Sequence, residues 1–357
     1  MDTKVTAETE QKRARADYYD RLERLSMKPL WEVLANLVPA VPHTAVQAHI
    51  WRWSQAKPFL KESGELISAK EAERRVLVLE NPGLPGQHTC TTTMYAGLQL
   101  INPGEVAPAH RHTQSALRFV VDGEGAYTAV DGERVTMKPG DFIITPKWTW
   151  HDHGNPGNQP VVWLDGLDIA VVRMLGAQFR ENLHAESQGV TRPEGSAMAK
   201  FGSNMLPMNY EPKNGVTPIF CYPYVQSKGA LLTLAAQGAE NIHPCHGVKM
   251  QYVNPATGGA PIPTMGTFLQ HLPKNFSGKP YRSTDATVFH AVEGEGRIEI
   301  EGDNGIAQAF DFVAKDTFVV PSWAQYRLSS KPSCVLFSFS DRPIQTALHL
   351  WREEEVL

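Results

Sequence analysis

Apolar and aromatic positions early in the chain fall at helical spacing. From Asp17, the residues Tyr18, Leu22, Leu25, Leu30 and Trp31 recur along one face, interrupted at Pro29. Trp51, Trp53 and Phe59 predict a second short helix, so the first 65 or so residues read as mainly helical. After Arg75 the period changes. Residues 75–84, 93–104, 116–132, 142–148 and 161–169 are short β-rich runs punctuated by Gly, Pro, Asn and Asp. Regular short strands with turn signals between them predict an all-β sandwich or barrel. Residues 171–240 read as a connecting helix and loops, and strand character returns from Met250.

Part of this pattern occurs twice. Val120-Val121-Asp122-Gly123-Glu124-Gly125 returns as Ala291-Val292-Glu293-Gly294-Glu295-Gly296, shifted by 171. Gly140-Asp141-Phe142-Ile143-Ile144-Thr145-Pro146-Lys147-Trp148 returns as Lys315-Asp316-Thr317-Phe318-Val319-Val320-Pro321-Ser322-Trp323, shifted by 175. Two blocks in one order at nearly one shift predict two copies of a single β unit.

Composition narrows the class. The chain has 357 residues, a formal charge of −4 and 42% hydrophobic residues, enough for two cores. No basic stretch marks a nucleic-acid surface, and no apolar run is long enough for a membrane helix. The charged N-terminus has no apolar centre of a secretion signal, and reads as a solvated helix face. Cys90, Cys221, Cys245 and Cys334 are scattered without a CxxC, the usage of a reduced, cytoplasmic protein.

Chemistry gathers around the first copy. Gly104 precedes His110-Arg111-His112 by a five-residue gap, and Gly123 follows. Gly140 precedes Pro146, Trp148, His151 and Asn155 at fixed intervals. Residues i and i+2 of a strand share a face, so His110 and His112 present two imidazoles side by side. These spacings resemble the two cupin motifs. The resemblance implies a jelly-roll barrel holding a metal through His110, His112 and His151. The motif's glutamate position falls on Ala116, with Leu117 beside it, and neither can ligate. Three neutral imidazoles with open positions suit an anionic chelating substrate, and Zn, Fe, Cu or Ni all accept such a set. The second copy carries Tyr281, Ser283 and Tyr326 at the ligand positions, so it is expected to be metal-free.

Strand parity extends the inward face through Gln114 and Ala116 to Arg118, whose buried charge needs an anion that the adjacent sequence does not offer. The matching residue of copy two is Phe289. Tyr95, Gly97 and Gln99 share a face, as do His151 and His153, and Trp163 and Asp165. His153 is open to three readings: orienting His151, touching substrate, or lining the mouth. Asp165 is equally readable as a turn residue before Gly166, and Gln99 as a satisfied core amide. His243, Cys245 and His246 lack a further ligand run and read as structural. Gly294-Glu295-Gly296 is a tight turn and not a phosphate loop.

With those residues in view, the chain resembles the bicupin ring-cleaving dioxygenases, the gentisate 1,2-dioxygenase family with its salicylate- and 1-hydroxy-2-naphthoate-cleaving members. The likeness runs from Pro29-Leu30-Trp31 to Ser340-Asp341-Arg342-Pro343-Ile344. Its most specific stretches include Glu73-Arg74-Arg75, Thr93-Met94-Tyr95-Ala96-Gly97-Leu98-Gln99, Ala109-His110-Arg111-His112-Thr113-Gln114 and Trp163-Leu164-Asp165-Gly166-Leu167-Asp168. It implies a mainly β bicupin fold, two jelly-roll barrels after a helical arm. The expected domains are an arm over 1–70, a metal-binding barrel over 71–185, a connecting segment over 186–240, and over 241–357 a second barrel with lost ligands and a C-terminal tail.

It also implies Fe(II), a homotetramer, and O2-dependent opening of a small aromatic hydroxy-carboxylate between its carboxyl- and hydroxyl-bearing carbons, with gentisate giving maleylpyruvate. Carried over, His110, His112 and His151 match the iron ligands. Arg74, Tyr95, Gly97, Gln99 and Arg118 match substrate-pocket positions, and His153, Asp165 and Arg118 the groups that handle charge and protons. Tyr95 stands where salicylate-type members carry Trp, which favours gentisate. Two other classes compete: a non-catalytic ligand-binding bicupin, and a Zn- or Mn-dependent isomerase or decarboxylase. Metal analysis followed by oxygen uptake separates all three.

Overall fold

A computed structural model describes residues 2–211, 216–302 and 307–355. Its contacts divide the chain into two compact units, Met1–His43 and Thr44–Leu357. The first holds the helices Asp2–Arg24 and Leu30–Leu37, tied by Trp31 Nε1 donating to Tyr19 Oη (3.0 Å) and Tyr19 donating to Glu32 (2.6 Å).

The second unit contains two jelly rolls that match strand for strand. In the N-terminal roll, one sheet runs Cys221–Tyr222, Phe142–Thr145, Ala116–Asp122, Val161–Leu167, Tyr95–Ile101, Val76–Val78. Its facing sheet runs Arg180–Asn182, Val106–His112, His151–Gly154, Tyr127–Val130, Glu133–Thr136. The C-terminal roll repeats the order. One sheet is His49–Trp51, Thr317–Val320, Thr287–Glu293, Cys334–Ser340, Gly266–Leu272, Val248–Gln251. The other contains Ala307–Val313, Glu295–Glu301, Gln325–Ser330, Tyr281–Ser283 and Glu353–Glu355. The bicupin expectation is met. The turns that define the repeat need special backbone: Gly123 has φ +77°, and a Cβ there would lie 2.1 Å from the Pro160 carbonyl.

Each roll takes its edge strand from the sequence preceding the other. His49–Trp51 pairs with Thr317–Val319 of the C-terminal roll, and Cys221–Tyr222 pairs with Phe142–Ile143 of the N-terminal one. A helix follows each strand, Trp53–Leu66 and Tyr224–Ala236. Its first amide is held by the aspartate of the repeated turn: Trp53 N–H donates to Asp316 and Tyr224 N–H to Asp141, both at 2.9 Å. These carboxylates satisfy donors that a helix start leaves open. Residues 44–66 and 219–236, expected in the arm and the connecting segment, are therefore built into the jelly rolls. Trp51 lies on a strand instead of a helix, because that strand completes a sheet edge.

The outward faces of the two six-stranded sheets share one apolar core that includes Leu98, Phe119, Phe142, Leu164, Leu269, Val288, Phe337 and Phe339. Phe119 and Phe337 stack across it at 4.2 Å. Reciprocal hydrogen bonds join the rolls: Thr93 donates to Asp341 (3.1 Å) and Thr264 to Asp168 (2.6 Å). Asp168 also accepts from the buried Ser115 amide (2.9 Å), so Asp168→Ala strands two donors. Urea melts should show a loss of about 3 kcal/mol for Asp168→Ala and about 1 kcal/mol for Thr264→Val. Equal costs would mean the carboxylate does not act through both partners.

Candidate metal centre and active site

The strand Val106–His112 brings His110 opposite His151 of the neighbouring strand, and parity puts His112 on the same face. Ring centroids are 4.4 Å apart for His110–His151, 4.8 Å for His112–His151 and 5.2 Å for His110–His112. One ligand nitrogen from each lies within 4.8 Å of the others, and no carboxylate joins the group among the described residues. The Nδ1 atoms of His112 and His151 each lie 2.9 Å from a backbone carbonyl, Gln114 and Thr149. Those bonds place the proton on Nδ1 and free Nε2, and His151 Nε2 is buried without a partner. Burial keeps the rings neutral. It pulls His110 down to about 2, aided by Arg74, and His112 to about 4, with His151 far below its ordinary value. Three neutral, convergent imidazoles with an orphaned nitrogen are a fitting donor set for a divalent metal.

Arg74 Nη2 lies 2.9 Å from His110 Nδ1 and donates to the Pro108 carbonyl at 2.8 Å. A guanidinium only donates, so Nδ1 accepts in this arrangement. Were His110 to hold a metal through Nε2, its Nδ1 would carry the proton and Arg74 would give up the contact. Burial, then the nearby Arg118, pulls the Arg74 pKa down to about 9, so both cations favour an anion in the pocket.

Arg118 is inside, though not by the expected route. The strand containing the HxH pair ends at His112, and Arg118 comes from the opposite sheet after residues 113–115 cross over. Its missing anion is Asp165, directly across in register, with Arg118 Nε 3.5 Å from Oδ1. Asp165 is thus a strand residue rather than a turn residue. It also accepts from Trp163 Nε1 (3.0 Å), and burial raises its pKa to about 6 against the pull of Arg118. Arg118 Nη1 donates to Thr145.

The remaining expected positions surround this pair. Gly97 faces Asp165, and a Cβ there would come within 2.5 Å of Val76 and 2.7 Å of the Tyr95 hydroxyl. The Tyr95 ring therefore lies across a position that only glycine leaves clear. Gln99 is buried, opposite Trp163. His153 is fully buried between His151 and Trp163, with Nδ1 3.0 Å from Thr128 Oγ1 and Nε2 unpaired. Thr128 and Thr145 were not foreseen. Thr128 sits in register opposite His153, a pairing of distant strands that no local motif announces.

The second copy departs as its residues imply. Tyr281 and Tyr326 pair where His110 and His151 would, and Phe289 stacks on Phe318 at 5.1 Å. His243 bonds Glu355 (3.0 Å) and stacks on His246, while Cys245 is buried, so that trio is structural.

Known proteins share this architecture. A cupin domain model matches residues 97–167. Gentisate 1,2 dioxygenase 1 of Aquipseudomonas alcaligenes is 52% identical over 95% of this chain and 96% of its own length. This chain belongs to the gentisate 1,2-dioxygenase family. A Streptomyces gentisate 1,2-dioxygenase is 36% identical over 98% of both chains. The solved salicylate 1,2-dioxygenase of Pseudoaminobacter salicylatoxidans, with gentisate adducts, superposes with a TM-score of 0.89 at 34% identity. It covers 96% of this chain and 94% of that one. As a member of this family the chain is a ring-cleaving dioxygenase, and its three-histidine group is one that could hold a metal ion.

The neutral histidines have a consequence for the metal-free protein. Below pH 6.5 the unfolded chain takes up protons that the folded His110 and His112 refuse, so stability falls with pH down to about 4. The slope is roughly 1.4 kcal/mol per pH unit for each such ring. Urea midpoints of the metal-stripped protein between pH 7 and 5 should show it, and His112→Asn should lessen it by one ring's share. An unchanged slope in that variant would place the acid sensitivity elsewhere.

Proposed function

We propose that this protein is an Fe(II)-dependent gentisate 1,2-dioxygenase. It would open gentisate between the carboxyl- and hydroxyl-bearing carbons, adding both atoms of O2 to give maleylpyruvate. The observation that carries the reading is the convergence of His110, His112 and His151, with no carboxylate joining the group among the described residues, with Arg74 against His110 and with Arg118 near both. Iron held there would supply the one-electron chemistry that lets dioxygen react with an aromatic ring.

The chain's own groups bind and orient the ring. Arg118, held by Thr145 and Asp165, keeps a fixed guanidinium toward the substrate carboxylate. Arg74, once released from His110, adds a second positive charge. Gly97 makes room for the Tyr95 ring, Tyr95 and Gln99 would line the substrate, and the Tyr95 hydroxyl suits the remote hydroxyl of gentisate. His153 offers an unpaired Nε2 for a phenolic proton, while Thr128 holds its other nitrogen. Asp165 offsets the Arg118 charge. Tyrosine at position 95 and the 52% identity to a gentisate enzyme support gentisate over salicylate. A homotetramer follows from the family resemblance, and the scattered free cysteines suit the cytoplasm.

Anaerobic reconstitution with Fe(II), then a panel of gentisate, salicylate and 1-hydroxy-2-naphthoate, tests the reading. One O2 should be consumed per gentisate, with ring-opening absorbance, and the other two substrates should turn over more slowly. Metal binding without oxygen uptake on any of the three would overturn it. Arg118→Lys should lower kcat/KM for gentisate by about 10–100-fold, the worth of one charge-assisted contact, with iron content unchanged. Loss of iron in that variant would make Arg118 structural.

A further inference from the structure

The C-terminal roll has lost its ligands but keeps a charged interior that the reaction does not use. Lys249 lies opposite Gln270, and Phe268 opposite Ser338, so all four side chains share the roll's inner face. They occupy the places that Val76, Gln99, Gly97 and Asp165 hold in the first roll. Lys249 Nζ sits 4.7 Å from the Phe268 ring centroid, and the Arg342 guanidinium 5.4 Å from the same centroid.

The charges there do not balance. Arg342 is matched: Nε lies 3.3 Å from Asp285, and Nη2 donates to the Tyr281 hydroxyl at 3.2 Å. Asp285 is fully engaged, since it also accepts from Trp351 Nε1 at 2.9 Å. Glu353 is exposed and takes the Tyr281 hydroxyl at 2.7 Å. Lys249 has no carboxylate within 4 Å among the described residues, and burial, with Arg342 nearby, pulls its pKa down to about 8. On the same inner face, the fully buried Gln270 Oε1 of the adjacent strand and Ser338 Oγ of the strand beyond it have no hydrogen-bond partner. A half-buried cation, an orphaned hydroxyl and an aromatic face on one surface are an incomplete recognition site.

We propose that this interior is a second ligand site, taking a small aromatic carboxylate with its oxygens on Lys249 and Ser338 and its ring against Phe268. The site is independent of the metal centre and does not require the reaction assigned to it. Equilibrium dialysis of the full-length, iron-loaded protein with labelled benzoate tests this. Wild type should bind two benzoates per chain. Lys249→Met should weaken one of them at least tenfold, leaving the other and gentisate turnover unchanged, and Ser338→Ala should weaken the same one. Thermal melts establish that both variants fold. Identical isotherms for wild type and both variants would overturn the site, whereas a single benzoate lost in Lys249→Met would support it and count only against benzoate binding at the metal centre. Equal displacement by chloride or phosphate would overturn its assignment to an aromatic carboxylate.

Discussion

The site depends on one register. His110 stands opposite His151 on adjacent antiparallel strands, and the period of two then brings His112 to the same point. A slip of one residue on either strand would send an imidazole to the outer face. The register is held by residues that are not themselves among the three histidines. Asn155 at the end of the strand carrying His151 donates to the carbonyls of Ile101 (3.2 Å) and Gln159 (2.8 Å). The Trp148 amide, at positive φ, donates to the His112 carbonyl (2.7 Å). The motif residues around the ligands are scaffold, and the chemistry belongs to the three rings.

Comparison of the rolls separates scaffold from chemistry. Trp323 repeats the Trp148 contact, donating to Ser283 at 2.7 Å, and Arg282 covers Trp323 as Arg111 covers Trp148, both at 4.6 Å. The outer decoration and the turns are kept, while the inner face is exchanged. Histidines became Tyr281, Ser283 and Tyr326, and the Arg118–Asp165 pair became Phe289 and Ser338. Deep in the second roll, Phe289, Phe312 and Phe318 stack into a closed apolar core. One backbone thus carries converging histidines or stacked phenylalanines at its centre, according to the residues on alternate strand positions.

Much of this was legible from the chain because turns and ligands make narrow demands. The two shifted blocks reveal the repeat since Gly123 needs positive φ and Asp141 and Asp316 hold amides that few other residues could satisfy. Strand pairing beyond those blocks was not legible. The exchanged edge strands span three and two residues, and Ile50-Trp51-Arg52-Trp53 resembles Cys221-Tyr222-Pro223-Tyr224 only in its aromatic spacing. Parity placed Arg118 inward correctly but could not see that the chain changes sheet before it. Its partner Asp165 lies 47 positions away and meets it only through register.

The register thus builds three imidazoles that would hold a metal, with the rest of its coordination left to small molecules. X-ray absorption at the iron edge, on anaerobically loaded protein with and without gentisate, tests it most directly. Three imidazole ligands are expected in both states, with light-atom scatterers beyond them that change when gentisate is added. Fewer than three imidazoles, or a protein carboxylate persisting in both spectra, would contradict it.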